Sequence, residues 1–328
     1  MELLLANHGS YPRIGDSPGQ QRLRRGYAQH ERGEITSKEF EAIQTSLIQE
    51  IVQEQAEAGL DLVTDGQIRW YDPISHFAGR LDGIKINGLL RFFDTNCYIR
   101  QPVVVDQVAW KGPILVEEYR SAQAVSPKPV KVVVTGPYTL GQFSILESSR
   151  YRDLPELVVA YTEALMKEVE ALAAAGATLI QIDEPSVLQH PGDAGLVKVA
   201  LTRIASRKGR ARLLLATYFG DAAPLYETLQ AFPVDALGFD FTYSRVLGDL
   251  IARLGSDKAV AFGLVDGRNT RMERTEEILP ILHRALPKVK GSPSYLTPSC
   301  GLEYLPRDKA QLKLKKMAAV AAELVGRG

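Results

Sequence analysis

Short runs of apolar residues recur eight times along the chain, and polar residues, glycine or proline follow each run. Most runs are rich in valine, isoleucine and leucine without strict alternation, which is typical of strands buried on both faces of a parallel sheet. Strands are therefore predicted at residues 3–7, 60–64, 130–135, 178–182, 212–217, 236–241, 259–265 and 294–297.

Helical patterns separate most of these strands. Thr36 and Glu39 have the spacing of a capping box, and apolar residues then repeat along one helix face as far as Ile51. Further helices are predicted at residues 154–175, 194–206, 223–231, 243–254, 275–285 and 308–324. This alternation in 328 residues predicts an α/β fold, a (β/α)8 TIM barrel forming one domain over residues 1–328. A doubly wound open sheet is the alternative, because periodicity alone does not close a sheet.

Two segments interrupt the alternation of strands and helices. Residues 84–111 alternate and turn in the manner of a β-hairpin, which predicts a hairpin insertion after the second strand. Residues 11–25 are polar and contain two prolines and two glycines, which predicts a loop before the first long helix. Neither segment has the composition of an interdomain linker, in agreement with a single domain.

Composition and charge narrow the class of protein. The chain carries 39 basic and 39 acidic residues, so no overall field favours nucleic acid or an anionic membrane. Its two cysteines cannot form a disulfide framework, and no apolar run approaches the roughly 20 residues that span a bilayer. The N-terminus lacks the basic and apolar regions of a signal peptide. We therefore expect a cytoplasmic protein with no nucleic-acid or membrane partner.

In a (β/α)8 barrel the chemistry lies at the C-terminal ends of the strands. Asp183 and Glu184 end a buried run, where two adjacent acids cost stability unless another group pairs with them, and this favours a functional role. His8 and Cys300 follow other runs, and the cysteine is either a ligand or a small buried side chain. Two Asp-Gly pairs on the same rim are either functional or ordinary turns. The five histidines show no local zinc-binding spacing.

Seven stretches at these strand ends carry a family resemblance. They include Gly-Ser-Tyr-Pro-Arg-Ile-Gly at residues 9–15 and Ile-Gln-Ile-Asp-Glu-Pro at residues 180–185. The others lie at residues 59–66, 135–139, 216–221, 265–269 and 298–302. Through them the sequence resembles the cobalamin-independent methionine synthase family, in which long members contain two barrels and short members one. The resemblance implies a barrel and methyl transfer to a thiol such as homocysteine, in methionine biosynthesis.

The resemblance also implies a zinc ion that binds the substrate thiolate, because a metal-bound thiol is deprotonated at neutral pH and becomes nucleophilic. The family holds this zinc with a His-x-Cys pair, an acidic residue and a later cysteine. Cys300 matches the later cysteine, and Asp240 stands at the acidic position. The His-x-Cys pair falls on Ala216 and Tyr218, which cannot replace it. We therefore expect zinc to be absent or weakly held, since zinc sites have three or four protein ligands.

The remaining expected site residues also follow from the resemblance. Asp183 matches the acid that binds the ammonium of the amino-acid thiol, Ser10 matches a carboxylate-binding residue, and Gln67 stands where the family has a glutamate. The residues expected to bind the amino acid are His8, Gly9, Ser10, Gln67, Asp183 and Glu184. Those expected to contact a pterin or another methyl donor are Asn96, Cys97, Phe143 and Gln189. Arg268 stands at the position of the family's histidine proton donor, and with Asp183 it is expected to be catalytic.

Three arginines in the predicted first loop form a further candidate site. In the N-terminal barrel of the long enzymes, basic residues in this region bind the polyglutamate tail of folate. Arg22, Arg24 and Arg25 occupy this region, and guanidinium groups bind carboxylates well. The alternative is the solvated start of a helix without a ligand.

Three functions remain open from the sequence. The first is a methyltransferase that takes its methyl group from a folate or from a corrinoid protein and gives it to an amino-acid thiol. The second is a non-catalytic barrel that binds folate or docks on a catalytic partner barrel, which the missing His-x-Cys pair favours. The third is a metal enzyme of new specificity that uses His8, Asp240, Cys300 and Tyr218. The resemblance favours the first.

Overall fold

A computed structural model describes residues 2–326, so Met1 and residues 327–328 of the predicted domain lie outside it. The strands of the described residues are β1 (Leu3–Leu5), β2 (Asp82–Arg91), β3 (Tyr98–Ala109), β4 (Val132–Thr135), β5 (Ile145–Leu146), β6 (Leu179–Asp183), β7 (Arg212–Thr217), β8 (Ala236–Asp240), β9 (Ala259–Val265) and β10 (Ser294–Pro298). Seven of them form one parallel sheet in the order β1-β10-β9-β8-β7-β6-β4. Seven of the eight predicted barrel strands are thereby confirmed.

The eighth barrel strand, predicted at residues 60–64, is reduced to single bridges. Leu62 pairs with Ala6 beyond β1, and Val63 pairs with Val130 before β4, so this segment joins the two edges of the sheet and closes it. A longer ladder does not form because the side-chain amide of Gln55 bonds both the N–H and the C=O of Thr64. The open-sheet alternative is therefore wrong, and the barrel is confirmed.

Alternate strand residues point to opposite sides of the barrel wall. Those that face the axis are mostly alanine and leucine, so they fill a narrow interior. This inner cluster consists of Ala6, Leu62, Leu179, Leu214, Ala216, Ala236, Ala259, Ala261 and Tyr295. The outward residues pack against the helices in the larger core. The residues at the rim of the barrel lie above this inner cluster.

The helices lie outside the barrel and connect its strands. They are α1 (Arg22–Glu31), α2 (Ser37–Glu57), α3 (Ser75–Ala78), α4 (Val116–Val125), α5 (Pro137–Gln142), α6 (Leu154–Ala174), α7 (Ala194–Ala205), α8 (Tyr226–Gln230), α9 (Leu247–Leu254), α10 (Thr275–Ala285) and α11 (Arg307–Gly326). The capping box of Thr36 and Glu39 is present at the start of α2. Gly176, with φ of 98°, follows the end of α6 as a left-handed residue. No helix within the described residues 2–326 is both long and apolar enough to cross a bilayer.

Three predictions of local structure were wrong. The loop predicted at residues 11–25 ends early, because α1 begins at Arg22. The helix predicted from residue 243 begins at Leu247, because the chain first turns around Asp240, whose carbonyl accepts a hydrogen bond from the Ser244 N–H. Helices α3, α4 and α5 were not predicted, and a helix at α1 was only the alternative interpretation of its arginines. They are short, and each has an interrupted apolar pattern.

The hairpin insertion is confirmed between the second and third barrel strands. β2 and β3 pair antiparallel, and the two-residue β5 joins β3 in parallel. The residues that connect β2 and β3, 92–97, are called the hairpin turn below. This turn reaches across the C-terminal end of the barrel, where the side chain of Asp94 contacts residues that follow β8 and β9.

Candidate active site

A small cavity of about 20 Å³ lies at the C-terminal ends of β1, β6 and β7, beneath the hairpin turn. Its lining residues are His8, Gly9, Ser10, Gln67, Pro73, Phe92, Asp183, Tyr218, Gly301, Glu303 and Tyr304. The structure thus brings together five of the six residues that were expected to bind an amino acid. Glu184 is the exception.

Asp183 is the buried carboxylate of this cavity. Its Oδ1 accepts a hydrogen bond from Gln181 Nε2 at 2.7 Å, and its Oδ2 accepts one from the Tyr218 hydroxyl at 3.1 Å. Burial raises the pKa of Asp183 to about 6, while these bonds and the charge of Lys131 act in the opposite direction. The carboxylate is therefore ionised at neutral pH and keeps a lone pair on each oxygen for a ligand.

Lys131 is a functional residue that sequence reasoning missed. Its Nζ donates to the His8 carbonyl at 2.8 Å and to Gln181 Oε1, at the barrel floor next to Asp183. Burial lowers the pKa of Lys131 to about 7, and the negative charge of Asp183 opposes this. The sequence did contain a signal for Lys131, because this lysine lies near the start of an otherwise apolar strand run and a buried lysine needs a partner.

His8 lines the same cavity as Asp183, with its ring edge-to-face against Tyr218 at 5.1 Å between centroids. Burial and the charge of Lys131 lower the pKa of His8 to about 3, although a hydrogen bond to the carbonyl of Pro298 raises it. The imidazole is therefore neutral over the physiological range. Its Nε2 is buried and has no hydrogen-bond partner within residues 2–326.

Ser10 and Gln67 provide the donor side of the cavity. Gln67 has φ of 55°, a left-handed conformation that is unusual for a residue with a side chain and is found preferentially at functional sites. Its N–H is held by Asp65 Oδ1 at 3.0 Å. Gly301 lies so close to Ser10 that a Cβ at position 301 would overlap the serine Oγ. A larger residue at position 301 would therefore displace the Ser10 hydroxyl from its place in the cavity wall.

Glu184 points away from the cavity and serves the fold. Its carboxylate accepts hydrogen bonds from the Tyr138 N–H at 2.9 Å, the Thr139 N–H at 2.8 Å and the Thr139 hydroxyl at 2.7 Å. These groups form the N-terminus of α5, which therefore receives its cap from β6. The prediction that Glu184 faces the substrate is corrected, because consecutive strand residues point in opposite directions.

The residues present do not fit the zinc ion that the resemblance implies. Ala216 belongs to the inner cluster and has no ligand atom, while the Tyr218 hydroxyl is bonded to Asp183. Asp240 Oδ1 already accepts from the N–H and hydroxyl of Thr242. Burial and nearby carboxylates raise the pKa of the Cys300 thiol well above its usual value, so it stays protonated. Within residues 2–326, no group of three or more His, Cys, Asp and Glu side chains could hold a metal ion, which also counts against the metal-enzyme alternative with His8.

Three of the four residues expected to contact a methyl donor lie in or against the hairpin turn, and Gln189 lies apart from them. Phe143 packs against Phe92 and Phe93, with centroids 5.3 and 5.2 Å apart. We call these three side chains, together with Phe219, the aromatic cluster. Asn96 and Cys97 lie in the hairpin turn, exposed and half-buried respectively, whereas Gln189 is exposed beyond the short helical turn Pro185–Leu188 and does not line the cavity.

Arg268 fastens the hairpin turn to the barrel. Its Nη1 donates to Asp94 Oδ1 at 3.0 Å, and the Tyr243 hydroxyl donates to Asp94 Oδ2 at 2.8 Å. We call these three residues the latch. Arg268 does not line the cavity, so its placement does not match the catalytic role expected of it. The two Asp-Gly pairs serve as turns, since Asp266 Oδ1 accepts from the Arg268 N–H as Asp65 does from Gln67.

The three arginines expected to bind a polyglutamate tail lie in the first turn of α1. Arg22 is paired with Glu50 at 2.7 Å, and Arg25 donates to the Pro18 carbonyl at 2.7 Å. Arg24 is exposed. None of them lines the cavity, so the structure does not group them as a clamp at its mouth.

Comparison with known proteins agrees with this architecture. Residues 10–323 match the family model described as cobalamin-independent synthase, catalytic domain. A methionine synthase of Saccharolobus solfataricus is 30% identical over 306 residues, which cover 93% of this chain and 91% of that protein. One from Saccharolobus islandicus is 31% identical with the same coverage.

Solved structures show the same fold. A B12-independent methionine synthase from Shewanella sp. W3-18-1, in complex with selenomethionine, has a TM-score of 0.82 and 22% identity, covering 100% of this chain and 98% of that one. A methyltransferase from Methanosarcina mazei has a TM-score of 0.61 and 16% identity, covering 97% and 94%. Because the family model spans residues 10–323 and the relatives reach 30% identity, the chain belongs to the cobalamin-independent synthase family.

Proposed function

We propose that this protein is a methyltransferase that transfers a methyl group to the thiol of homocysteine and so forms methionine. The observation that carries this proposal is the cavity at the strand ends, which has an acceptor wall at Asp183 and a donor wall at Ser10 and Gln67. These walls complement the ammonium and the carboxylate of an α-amino acid. Homocysteine and methionine share both groups, so one cavity serves substrate and product.

The residues that line the cavity have separate roles in binding the amino acid. Asp183 binds the ammonium, and Ser10 with the adjoining Gly9 and Gln67 binds the carboxylate, which leaves the side-chain sulfur toward the hairpin turn. In the transfer, the thiol gives its proton to solvent, and the sulfur forms a bond to the methyl carbon as the methyl–donor bond breaks and its electron pair stays with the demethylated donor. Because the donor set does not fit zinc, no step is assigned to a metal. The thiol then enters the reaction as its own thiolate fraction, which reaches one half near pH 8.5 and rises further above it.

The methyl donor is proposed to approach from the aromatic cluster. A flat conjugated ring, such as a reduced pterin or the corrin of a partner protein, can stack on phenylalanine side chains at this rim. We further propose that the chain works as one domain in the cytoplasm, because its balanced charge favours neither nucleic acid nor membrane.

The test is formation of methionine by the purified protein. L-Homocysteine is incubated with 5-methyltetrahydrofolate, as the mono- or triglutamate, or with methylcobalamin, and methionine is measured by mass spectrometry. We expect product with one of these donors, at an unchanged rate when a chelator is added. Replacement of Asp183 by Asn should lower kcat/KM for homocysteine about 10- to 100-fold, since an ammonium–carboxylate hydrogen bond is lost.

The matched control is Asp257→Asn, which removes an exposed acid that precedes β9, at the other end of the barrel. It should leave turnover unchanged. Absence of methionine with every donor, or complete inhibition by the chelator, would contradict the proposal.

A second function is favoured by one observation, the replacement of two family ligands by Ala216 and Tyr218. It is a non-catalytic barrel that binds an amino acid or folate and docks on a catalytic partner barrel. In the same experiment such a barrel would bind methionine without forming it, and adding the partner would be necessary for turnover.

A further inference from the structure

One polar atom in the wall of the cavity lacks a partner. His8 Nε2 is buried and receives no hydrogen bond from residues 2–326, whereas the Asp183 carboxylate beside it is bonded to Gln181 and Tyr218. A buried acceptor without a donor costs free energy comparable to a lost hydrogen bond. Such an atom in a cavity wall points to a ligand that supplies the donor.

The tautomer of His8 is determined by its surroundings. The ring is hydrogen-bonded to the carbonyl of Pro298, which can only accept, so the nitrogen on that side carries the proton. Since Nε2 is the nitrogen without a partner, Nδ1 is the donor, and Nε2 of this cavity-lining residue carries an unused lone pair. Burial and the nearby Lys131 ammonium keep the ring neutral, so the lone pair remains available across the physiological pH range.

The charges of the cavity indicate what kind of ligand can supply this hydrogen-bond donor. Lys131 lies below Asp183 and compensates its carboxylate, and Gln67 is neutral. A zwitterionic ligand therefore adds no net charge to a balanced site. Its ammonium has three N–H donors, more than one partly occupied carboxylate accepts, and a neutral imidazole accepts one without repelling the cation.

We propose that His8 is a specificity-determining residue whose Nε2 accepts a hydrogen bond from the α-ammonium of the bound amino acid, alongside Asp183. This assignment rests on the proposed function. It makes the site selective for ligands with a protonated α-amino group over analogues that lack it, because an empty acceptor in the buried wall penalises the latter.

The test compares two ligands that differ only at the α-amino group. Dissociation constants of L-methionine and 4-(methylsulfanyl)butanoate are measured by ligand-observed NMR titration for the wild type, His8→Phe and His8→Asn. We expect His8→Phe to weaken methionine binding about tenfold or more and to leave the analogue within about twofold of wild type. His8→Asn keeps a side-chain acceptor and should recover affinity for methionine relative to His8→Phe.

The matched control is His283→Phe, which removes an exposed histidine near the N-terminal end of β1. It should change neither dissociation constant. Equal weakening of both ligands by His8→Phe would show a merely structural role and overturn the proposal, as would unchanged binding of methionine. Failure of the wild type to bind methionine and homocysteine at all would overturn the proposed function as well.

A second measurement needs no substitution. The chain has five histidines, so ¹⁵N-histidine labelling gives a simple spectrum in which the unprotonated Nε2 of His8 is observed directly. Methionine should shift this resonance upfield, as expected when the nitrogen accepts a hydrogen bond, and the analogue should not. A resonance that is insensitive to methionine while other cavity signals move would contradict the assignment to His8 and leave the proposed function intact.

Discussion

At the scale of the residue, Asp183 keeps a charge in a buried position because its neighbours compensate for lost water. Gln181 and Tyr218 each donate a hydrogen bond to it, and the Lys131 ammonium lies close by. This compensation is incomplete, since burial still raises the pKa of Asp183 to about 6. The residue therefore changes charge near the lower end of the physiological pH range.

Methionine binding should accordingly weaken as the pH falls. The groups that face Asp183 are Lys131, Tyr218 and the neutral His8. Lys131, with a pKa of about 7, gains its positive charge as the pH falls from 8 to 6, which also disfavours a bound ammonium, whereas His8, with a pKa of about 3, stays neutral down to pH 5. Protonation of Asp183 removes the partner of the ammonium, so affinity should fall about tenfold per pH unit below pH 6. Calorimetric titrations between pH 5 and pH 8 check this.

The Asp183→Asn variant is the control for this pH dependence. It should bind methionine weakly at every pH, without the decline seen in the wild type. A wild-type affinity that is constant between pH 5 and pH 8 would exclude Asp183 as the ammonium partner.

The two acids at the end of β6 show how far sequence reasoning extends. Asp183 and Glu184 looked equivalent, because both follow an apolar run. The strand period of two separates them, since Asp183 faces the cavity and Glu184 faces α5. That alternation was available from the sequence, whereas the bonds of Lys131 to residues 50 and more positions away were not.

At the scale of the element, α5 depends on a side chain from a different element. Its N-terminus carries no capping side chain of its own, and Glu184 from the end of β6 supplies the acceptors. Gly136 is required at the helix start, because a Cβ there would overlap the Glu184 carboxyl group. The short helix was not predicted because its cap lies 45 residues further along the chain.

Replacement of Glu184 by Ala should therefore destabilise the fold and affect the cavity little. Loss of the cap leaves two buried N–H groups unpaired, which should lower the free energy of unfolding by about 2–4 kcal/mol in urea denaturation. Glu276→Ala, at an exposed first-turn position of α10, should change it little. Two outcomes would contradict this role of Glu184 and indicate a role in substrate binding instead. One is an unchanged unfolding midpoint for Glu184→Ala, and the other is a large loss of methionine affinity in the folded variant.

At the scale of the whole molecule, distant parts of the chain meet over the cavity. The hairpin insertion was predicted from its alternation, but the contacts of its turn were not, because Asp94 and Arg268 are 174 positions apart. All eight segments of the barrel wall were predicted. They include residues 60–64, which form only single bridges, because their apolar run is as clear as the others. The hydrophobic pattern of the sequence therefore identified the strands and most helices, whereas the polar contacts between distant residues were visible only in the structure.

The latch should control access to the buried Cys300 at the end of β10. In a Cys97→Ser background Cys300 is the one remaining thiol of the sequence, and the latch residue Arg268 is near enough for its charge to affect the pKa of this thiol. Asp94→Ala removes the acceptor of both latch bonds and should speed labelling of Cys300 by a thiol reagent about three- to tenfold.

The control for the latch is Asp106→Ala, which removes an exposed acid of the same hairpin that is ion-paired with Arg150. It should leave the labelling rate unchanged. Both variants need the same melting temperature as the background, so that global unfolding is excluded. Equal rates in Asp94→Ala and the background would show that the latch does not restrain the hairpin turn.

The position of the hairpin turn has a consequence for kinetics. Phe92 of the turn forms part of the cavity wall, so the position of the turn affects the opening through which a ligand enters and leaves. A change in the latch should therefore alter the rates of ligand association and dissociation more than the equilibrium affinity. Release of methionine, as well as methyl transfer, can then limit the turnover number.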